Sequence, residues 1–363
     1  MVPVVVAPTI FERHVAFWIV LLVLLLAAVW WLRDVMLPFV AGMGLAYLLD
    51  PVTTRLERLG IKRGIAAVLT ISVVVLSLVL LILLIAPIIG SQLAGLVADI
   101  PDYVRRLQNW FTDPARPWAG RLMGNGVSAA DRVAGELATQ GAAIATGFLS
   151  SVWTGGAAVI SILSLLIVTP VVAFYFLVDW SRIVNKAERL IPRPDQPTVR
   201  QLAREIDAAV AGFVRGQAMV CLILGVFYAV ALSLVGLKFG LLIGLVAGLI
   251  SFIPYVGTLT GLVLSVGVAI SQFWPEWTWI AVVAGIFFVG QFIEDYVLIP
   301  KLVGENIGLH PLWIMFALFA FGYLFGFIGL LIAVPVAAAL GVIIRFATRR
   351  YLESPVYTGE EPR

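Results

Sequence analysis

The stretch GLKFGLLIGLVAGLISFIPYVGTLTG, residues 236–261, decides how this chain folds. Gly236, Gly240, Gly244 and Gly248 recur at every fourth position of an apolar run. On a helix that spacing clears side chains from one face and lets another backbone come close, so it predicts a packing or sliding face. Directly after it stand Ile253-Pro254-Tyr255-Val256-Gly257 and Gly261. Pro254 has no backbone N–H to donate, and Gly257 can take conformations that other residues avoid, so a helix break is expected here. A break inside hydrocarbon leaves polar backbone groups unpaired, at several kcal/mol each, and is tolerated only where protein or a water-filled cavity covers it. The expectation is that 254–261 lines a transport pathway.

The same arithmetic recurs later. The segments 239–271 and 312–344 are each apolar over more than thirty residues, which as straight helices would be about 45–50 Å long, against a hydrocarbon core of about 30 Å. Each is interrupted, the first at Pro254 and Gly257, the second at Gly322, Gly326 and Gly329 with Pro335 beyond. Two half-length arms around a glycine-rich tip make a re-entrant hairpin, and such interruptions in corresponding segments point to a transporter's binding site. Two long, tilted and kinked spanning helices remain the alternative.

Composition sets the environment. Hydrophobic residues make up 61% of the chain and charged residues 12%, against about 45–50% and 25% in soluble domains. This is an all-α polytopic membrane protein with about eight hydrophobic segments; the ten-residue alternation of a membrane barrel is absent. The net charge of +3 is small and its basic residues are spread over short loops, which argues against nucleic-acid binding. One cysteine, Cys221, and two histidines, His14 and His310, exclude an internal disulfide and make a zinc centre improbable. No cofactor is expected, and the missing Gly-Lys-Ser/Thr phosphate loop excludes ATP as the direct energy source. Coupling to a proton or sodium gradient is compatible with the composition.

In order, the sequence divides into 1–89 (three membrane helices), 90–147 (an extracytoplasmic amphipathic helical region), 148–179 (a fourth membrane helix), 180–212 (a cytoplasmic amphipathic region), 213–348 (a transport core) and 349–363 (a cytoplasmic tail). The first run, 15–32, lacks a small-residue cleavage site and reads as a retained helix. The second, 35–49, is expected to stop at Asp50-Pro51. Arg55, Arg58, Lys62 and Arg63 place the next loop in the cytoplasm, as do the six basic residues of 181–212. Both termini are then cytoplasmic. Leu93, Leu96, Val97, Ile100, Tyr103, Val104 and Leu107 predict an amphipathic helix, and Val133, Leu137 and Ile144 a second one. Outward helices and glycine faces suit a homo-oligomer in the lipid bilayer.

Phe213-Val214-Arg215-Gly216-Gln217, Ile253-Pro254-Tyr255-Val256-Gly257, the run from Glu294-Asp295-Tyr296 to Pro300-Lys301-Leu302-Val303-Gly304, Gly308-Leu309-His310-Pro311, and Phe325-Gly326 through Val334-Pro335 stand in an order that resembles the AI-2E family of bacterial transporters. The resemblance covers the whole chain in layout and is most specific after about residue 210. It implies an inner-membrane permease with an extracytoplasmic region after the third segment. It also implies export of a small molecule: in the namesake branch the quorum-sensing signal autoinducer-2, a small polar furanone derivative. Other members resemble sodium or lithium/proton antiporters.

The candidate site residues follow. Pro254, Tyr255, Gly257, Gly261, Gly322, Gly326 and Gly329 are expected along the solute pathway. Glu294 and Asp295, at the end of an apolar run, are candidates for ion coupling, because a charge at membrane depth is costly unless paired, hydrated or protonated; pairing with Lys301 or Arg215 at the interface is the plainer account. Arg215 and Gln217 could hold an anionic or hydroxylated ligand, or Arg215 could simply snorkel. His310 before Pro311 reads as a helix start or a pH sensor. A membrane enzyme finds no support in a nucleophile-and-base constellation, and an oligomeric channel remains a weaker alternative to a carrier.

Overall fold

The computed structural model describes residues 35–112, 156–303 and 309–359, with 24, 31 and 32 besides; the expected first helix at 15–32, the amphipathic helix at 133–144, His14, and Gly304 and Gly308 fall outside the described residues. The described chain is helical, without strands. In order it contains α1 (Leu37–Arg58), α2 (Arg63–Thr112), α3 (Gly156–Glu188), α4 (Gln196–Leu234), α5 (Gly240–Ile250), α6 (Val256–Phe273), α7 (Trp277–Ile293), a π-helical continuation Glu294–Val303, α8 (Pro311–Leu352) and the short α9 (Pro355–Thr358). Among the described residues, seven helical stretches have the length and apolarity to cross a membrane, and α5, at 11 residues, is a shorter apolar helix.

Two bundles emerge. In the first, α1, α2 and α3 share an apolar centre of Ala46, Leu49, Ala67, Ile71, Ala173 and Leu177. Gly42 lets α1 sit against the Val172 side chain and the Thr169 carbonyl of α3. At 50 residues, α2 runs unbroken through position 89 and is about 75 Å long at 1.5 Å per residue. In the second bundle, α4 to α8 surround a larger core that includes Leu224, Tyr228, Leu232, Ala247, Val283, Phe287 and Val334.

One local expectation is corrected. α1 does not stop at Asp50-Pro51 but continues to Arg58, with Pro51 inside it. A proline within a helix orphans the carbonyl four residues back, here Tyr47. Arg215 Nε of α4 donates to that carbonyl at 2.8 Å, so the helix passes through the proline with its acceptor satisfied.

The late segments fold back on themselves. α5 and α6 are separate helices joined by residues 251–255. Their contacts are symmetric about Pro254: Gly257 lies against Ser251, Gly261 against Ala247, and Gln272 Nε2 donates to the Gly236 carbonyl at 2.8 Å. The arms therefore run antiparallel. α8 is helical over 42 residues, yet Gly326 breaks it with φ 61° and ψ −138°. Gly329 packs on the Phe321 carbonyl, Gly322 on Leu330, and Gly341 on Leu309. In one continuous helix, residues eight apart are about 12 Å apart. These pairs are centred on residues 325 and 326, so α8 is a second antiparallel hairpin rather than one 42-residue rod, with arms 311–325 and 327–352. At 15 residues the first arm is about 22 Å long, and the 11 residues of α5 give about 17 Å; neither spans a hydrocarbon core of about 30 Å by itself.

Candidate functional site

The site begins with the glycines of α5. Gly240 lies against the backbone of Leu232, Gly244 against Ala229 and Gly248 against Gly225, so α5 descends α4 antiparallel with its backbone nearly touching. A Cβ at Gly244 or Gly248 would overlap α4 backbone atoms. Gly236 belongs to the turn instead, at φ +75° with open space around it. Descent along this face brings the hairpin tip to the level of Gln217, whose Nε2 donates to the Ser251 carbonyl at 2.6 Å; both residues are buried. Ser251 Oγ in turn donates to the Ala247 carbonyl at 2.9 Å. Gln217 thus satisfies a carbonyl that the helix break at Pro254 leaves without an intrahelical partner.

Pro254 is half-buried at the tip, and Tyr255 beside it is 50% exposed, with φ 66°. An aromatic residue in the left-handed region is held there against a cost of about 1–2 kcal/mol. Among the described residues Phe239, at the start of α5, is the other non-glycine residue with positive φ, at 61°. Its ring packs on Gly95 of α2, and Gln92 Oε1 of α2 accepts from Leu242 N at 3.1 Å. One of the unpaired N–H groups of the first turn of α5 is thereby satisfied from the other bundle.

The second flank of the hairpin is polar too. Thr258 Oγ1, in the first turn of α6, donates to Glu294 Oε2 at 3.4 Å. Glu294 opens the π-helical segment and is 4% exposed. Single π turns inside α-helices recur at functional sites. Here the segment ends by laying Leu302 and Val303 on Gly216 of α4, where a side chain would have no room. Gly290, one turn before Glu294, makes space for the ring of Tyr228, which stacks on Phe287 at 4.6 Å. Gly261 receives the other edge of Phe287.

The remaining candidates are distributed. Asp295 is exposed and accepts from Gln291 Nε2 at 3.0 Å; Lys301 is exposed. Neither Lys301 nor Arg215 pairs with Glu294. Arg215 turns to the first bundle, to Tyr47 O and to Asp50 at 3.7 Å. Asp50 also meets Arg63 at 3.3 Å, and Tyr47 Oη donates to Asp207 at 3.0 Å. These groups line a cavity of about 90 Å³ where the two bundles meet. His310 is exposed and caps α8, its Nδ1 accepting from Leu312 N at 3.3 Å. Gly322, Gly326 and Gly329 form the tip of the second hairpin, where Gly322 meets Leu330 and Gly329 meets Phe321 and Phe325. Sequence reasoning missed Thr258, Tyr228 and Ser251. The one signal for Thr258 and Ser251 was a polar residue inside an apolar helix or at its end; Tyr228 carried none.

The model of the AI-2E family transporter matches residues 19–349. The chain belongs to the AI-2E transporter family. The putative permease PerM of Escherichia coli K12 is 28% identical over 334 residues, covering 90% of this chain and 92% of that protein. The AI-2 transport protein TqsA of the same organism is 22% identical over 327 residues, covering 90% of this chain and 89% of its own. The putative transport protein YrrI of Bacillus subtilis is 33% identical over 175 residues, about half of each chain. The AI-2E relatives are named as transport proteins rather than enzymes, and the apolar helices of this chain are those of a membrane protein.

Proposed function

We propose that this AI-2E family member is a secondary transporter of the bacterial inner membrane that exports a small polar solute, of which autoinducer-2 is the first to test, by alternating access. The observation that supports this most is the pair of fold-back hairpins. Each places a backbone break in an apolar segment, and broken helices at corresponding positions surround the substrate in many carriers. The breaks at 251–255 and at Gly326 offer such a place, with Gln217 and the Ser251 carbonyl as polar contacts for a hydroxylated ligand. The basic residues of α1's end and of the α3–α4 connection support a cytoplasmic position for that side and for both termini. Gly240, Gly244 and Gly248 are filled by α4, so a homo-oligomer would use other apolar faces, such as that of α2.

The test is flux in vesicles reconstituted with the purified chain, using a panel of furanones, sugars and cations. Saturable, counter-gradient-dependent flux of one panel member is expected. Flux linear in concentration would instead indicate a channel. A second reading, a sodium- or lithium/proton antiporter, is favoured by the burial of Glu294 without a cationic partner among the described residues. Collapse of an imposed pH gradient by added sodium, with no organic solute present, would select it.

A further inference from the structure

Glu294 is one of three polar groups meeting where the hairpin leans on α7. A carboxylate offers about four acceptor positions. Among the described residues Glu294 receives one hydrogen bond, from Thr258 at 3.4 Å, longer than the ~2.7–2.8 Å usual between oxygens. The second group is Tyr228. It is 0% exposed, and its hydroxyl lies over Gly290, one turn from Glu294 on the same helical face. Among the described residues that hydroxyl makes no hydrogen bond of good geometry, although the Thr258 hydroxyl lies within reach of it. An orphaned phenol and an under-coordinated carboxylate, side by side in an apolar core, are each unfavourable alone. A shared ligand satisfies both.

The charge balance names its class. Cys221 and Tyr228 face Glu294 from α4, while Arg215 is engaged with Asp50 and Tyr47. Asp295 and Lys301, on the same segment as Glu294, are exposed; α6 contributes the neutral Thr258 and α7 the neutral Gln291, which is bonded to Asp295. Among the described residues no group of three or more His, Cys, Asp or Glu side chains could hold a metal. One buried carboxylate neutralises one positive charge, and a divalent ion would leave the excess buried. We propose that Tyr228, Thr258 and Glu294 form a site for a monovalent cation, a proton or a sodium ion, whose occupancy pins α6 to α7. The inference rests on the carrier reading and supplies its coupling site. With the ion bound, Thr258 holds the first turn of α6 down; with the ion gone, the tip is free to lift from Gln217.

The full chain in detergent is titrated with sodium chloride against choline chloride at constant ionic strength, and separately with pH, while its melting temperature is followed. A rise with sodium assigns sodium, and a dependence on pH alone assigns the proton. Glu294→Gln is expected to weaken that response about 10- to 100-fold in half-effect concentration, as the loss of a charged partner does. Tyr228→Phe is expected to weaken it about 3- to 10-fold. It should also melt higher than the parent without cation, because it removes an unsatisfied hydroxyl. Glu205→Gln, on an exposed turn of α4, keeps the parent response. If Glu294→Gln does not fold, Tyr228→Phe and Thr258→Val carry the test. A parent chain indifferent to both ions, or variants that respond like the parent, overturn the proposal. Solute flux in vesicles without any cation effect removes this site and leaves the carrier standing; a cation response with no panel solute moved does the reverse.

Discussion

The two hairpins solve one geometric problem with different chemistry. The α5–α6 tip turns at 251–255, is tied by Gln217 and Thr258 to its two flanks, and holds Tyr255 at positive φ. The tip within α8 turns on a single residue, Gly326, and packs on phenylalanines and leucine. Polar ties can be exchanged for water or a ligand at little net cost. Apolar packing against backbone has no such substitute. On the proposed carrier mechanism, the moving, ligand-responsive role then falls to the first hairpin and a fixed role to the second.

The harshest way to break the comparison is to fill the glycine seams. A Cβ at Gly329 would overlap the Phe321 carbonyl, and one at Gly257 would overlap Ser251 backbone atoms. Because backbone cannot swing aside as a side chain does, Gly329→Ala and Gly257→Ala are each expected to cost about 3 kcal/mol, the upper range for overpacking. Loss of a monodisperse peak after extraction, or a large fall in melting temperature, checks this for both. Wild-type behaviour of either would mean that its hairpin is more open than its contacts indicate.

Next in size is the Gln217 tie at the first hairpin. Gln217→Leu leaves the buried Ser251 carbonyl without a donor and is expected to cost about 2 kcal/mol. Protease access near 251–255, or thiol-reagent access to a single cysteine introduced there in a Cys221→Ser background, should rise, while access near Gly326 stays as it was. Equal change at both tips would refute the division of roles. A third substitution addresses the second tip alone. Gly326→Ala meets no atom, but its φ of 61° with ψ −138° lies where side chains are strained, so about 1–2 kcal/mol is expected from melting.

The legibility of these features in the sequence follows the same physics. The glycine ladder and the break at Pro254 are readable because a missing side chain and a missing N–H are properties of the residue itself. The second hairpin is readable as an interruption but not as a place: Gly322, Gly326 and Gly329 are equal candidates until backbone angles single out Gly326 as the turn and Gly329 as the close approach. Pairings far apart in sequence are not readable. Nothing local to Pro51 announces that Arg215 will accept the duty of satisfying Tyr47, so a helix stop is the reasonable expectation there. Nor does Tyr228 differ in sequence from any aromatic filler; only the placing of its hydroxyl over Gly290 sets it apart.

The smallest effect is the most informative about function. Tyr255 is half exposed, so little packing depends on its ring, yet its backbone sits at φ 66° and ψ −28°. Asparagine tolerates the left-handed region better than an aromatic residue and, unlike glycine, adds little freedom to the unfolded chain. Tyr255→Asn is therefore expected to raise stability, by about 0.5 kcal/mol, visible as a slightly higher melting temperature. If the strain is stored for movement of the first hairpin, flux in vesicles should fall although the protein is more stable. A variant that is both more stable and equally active would place Tyr255 among ordinary turn residues and take the strained tip out of the transport cycle, leaving the polar ties alone to distinguish the two hairpins.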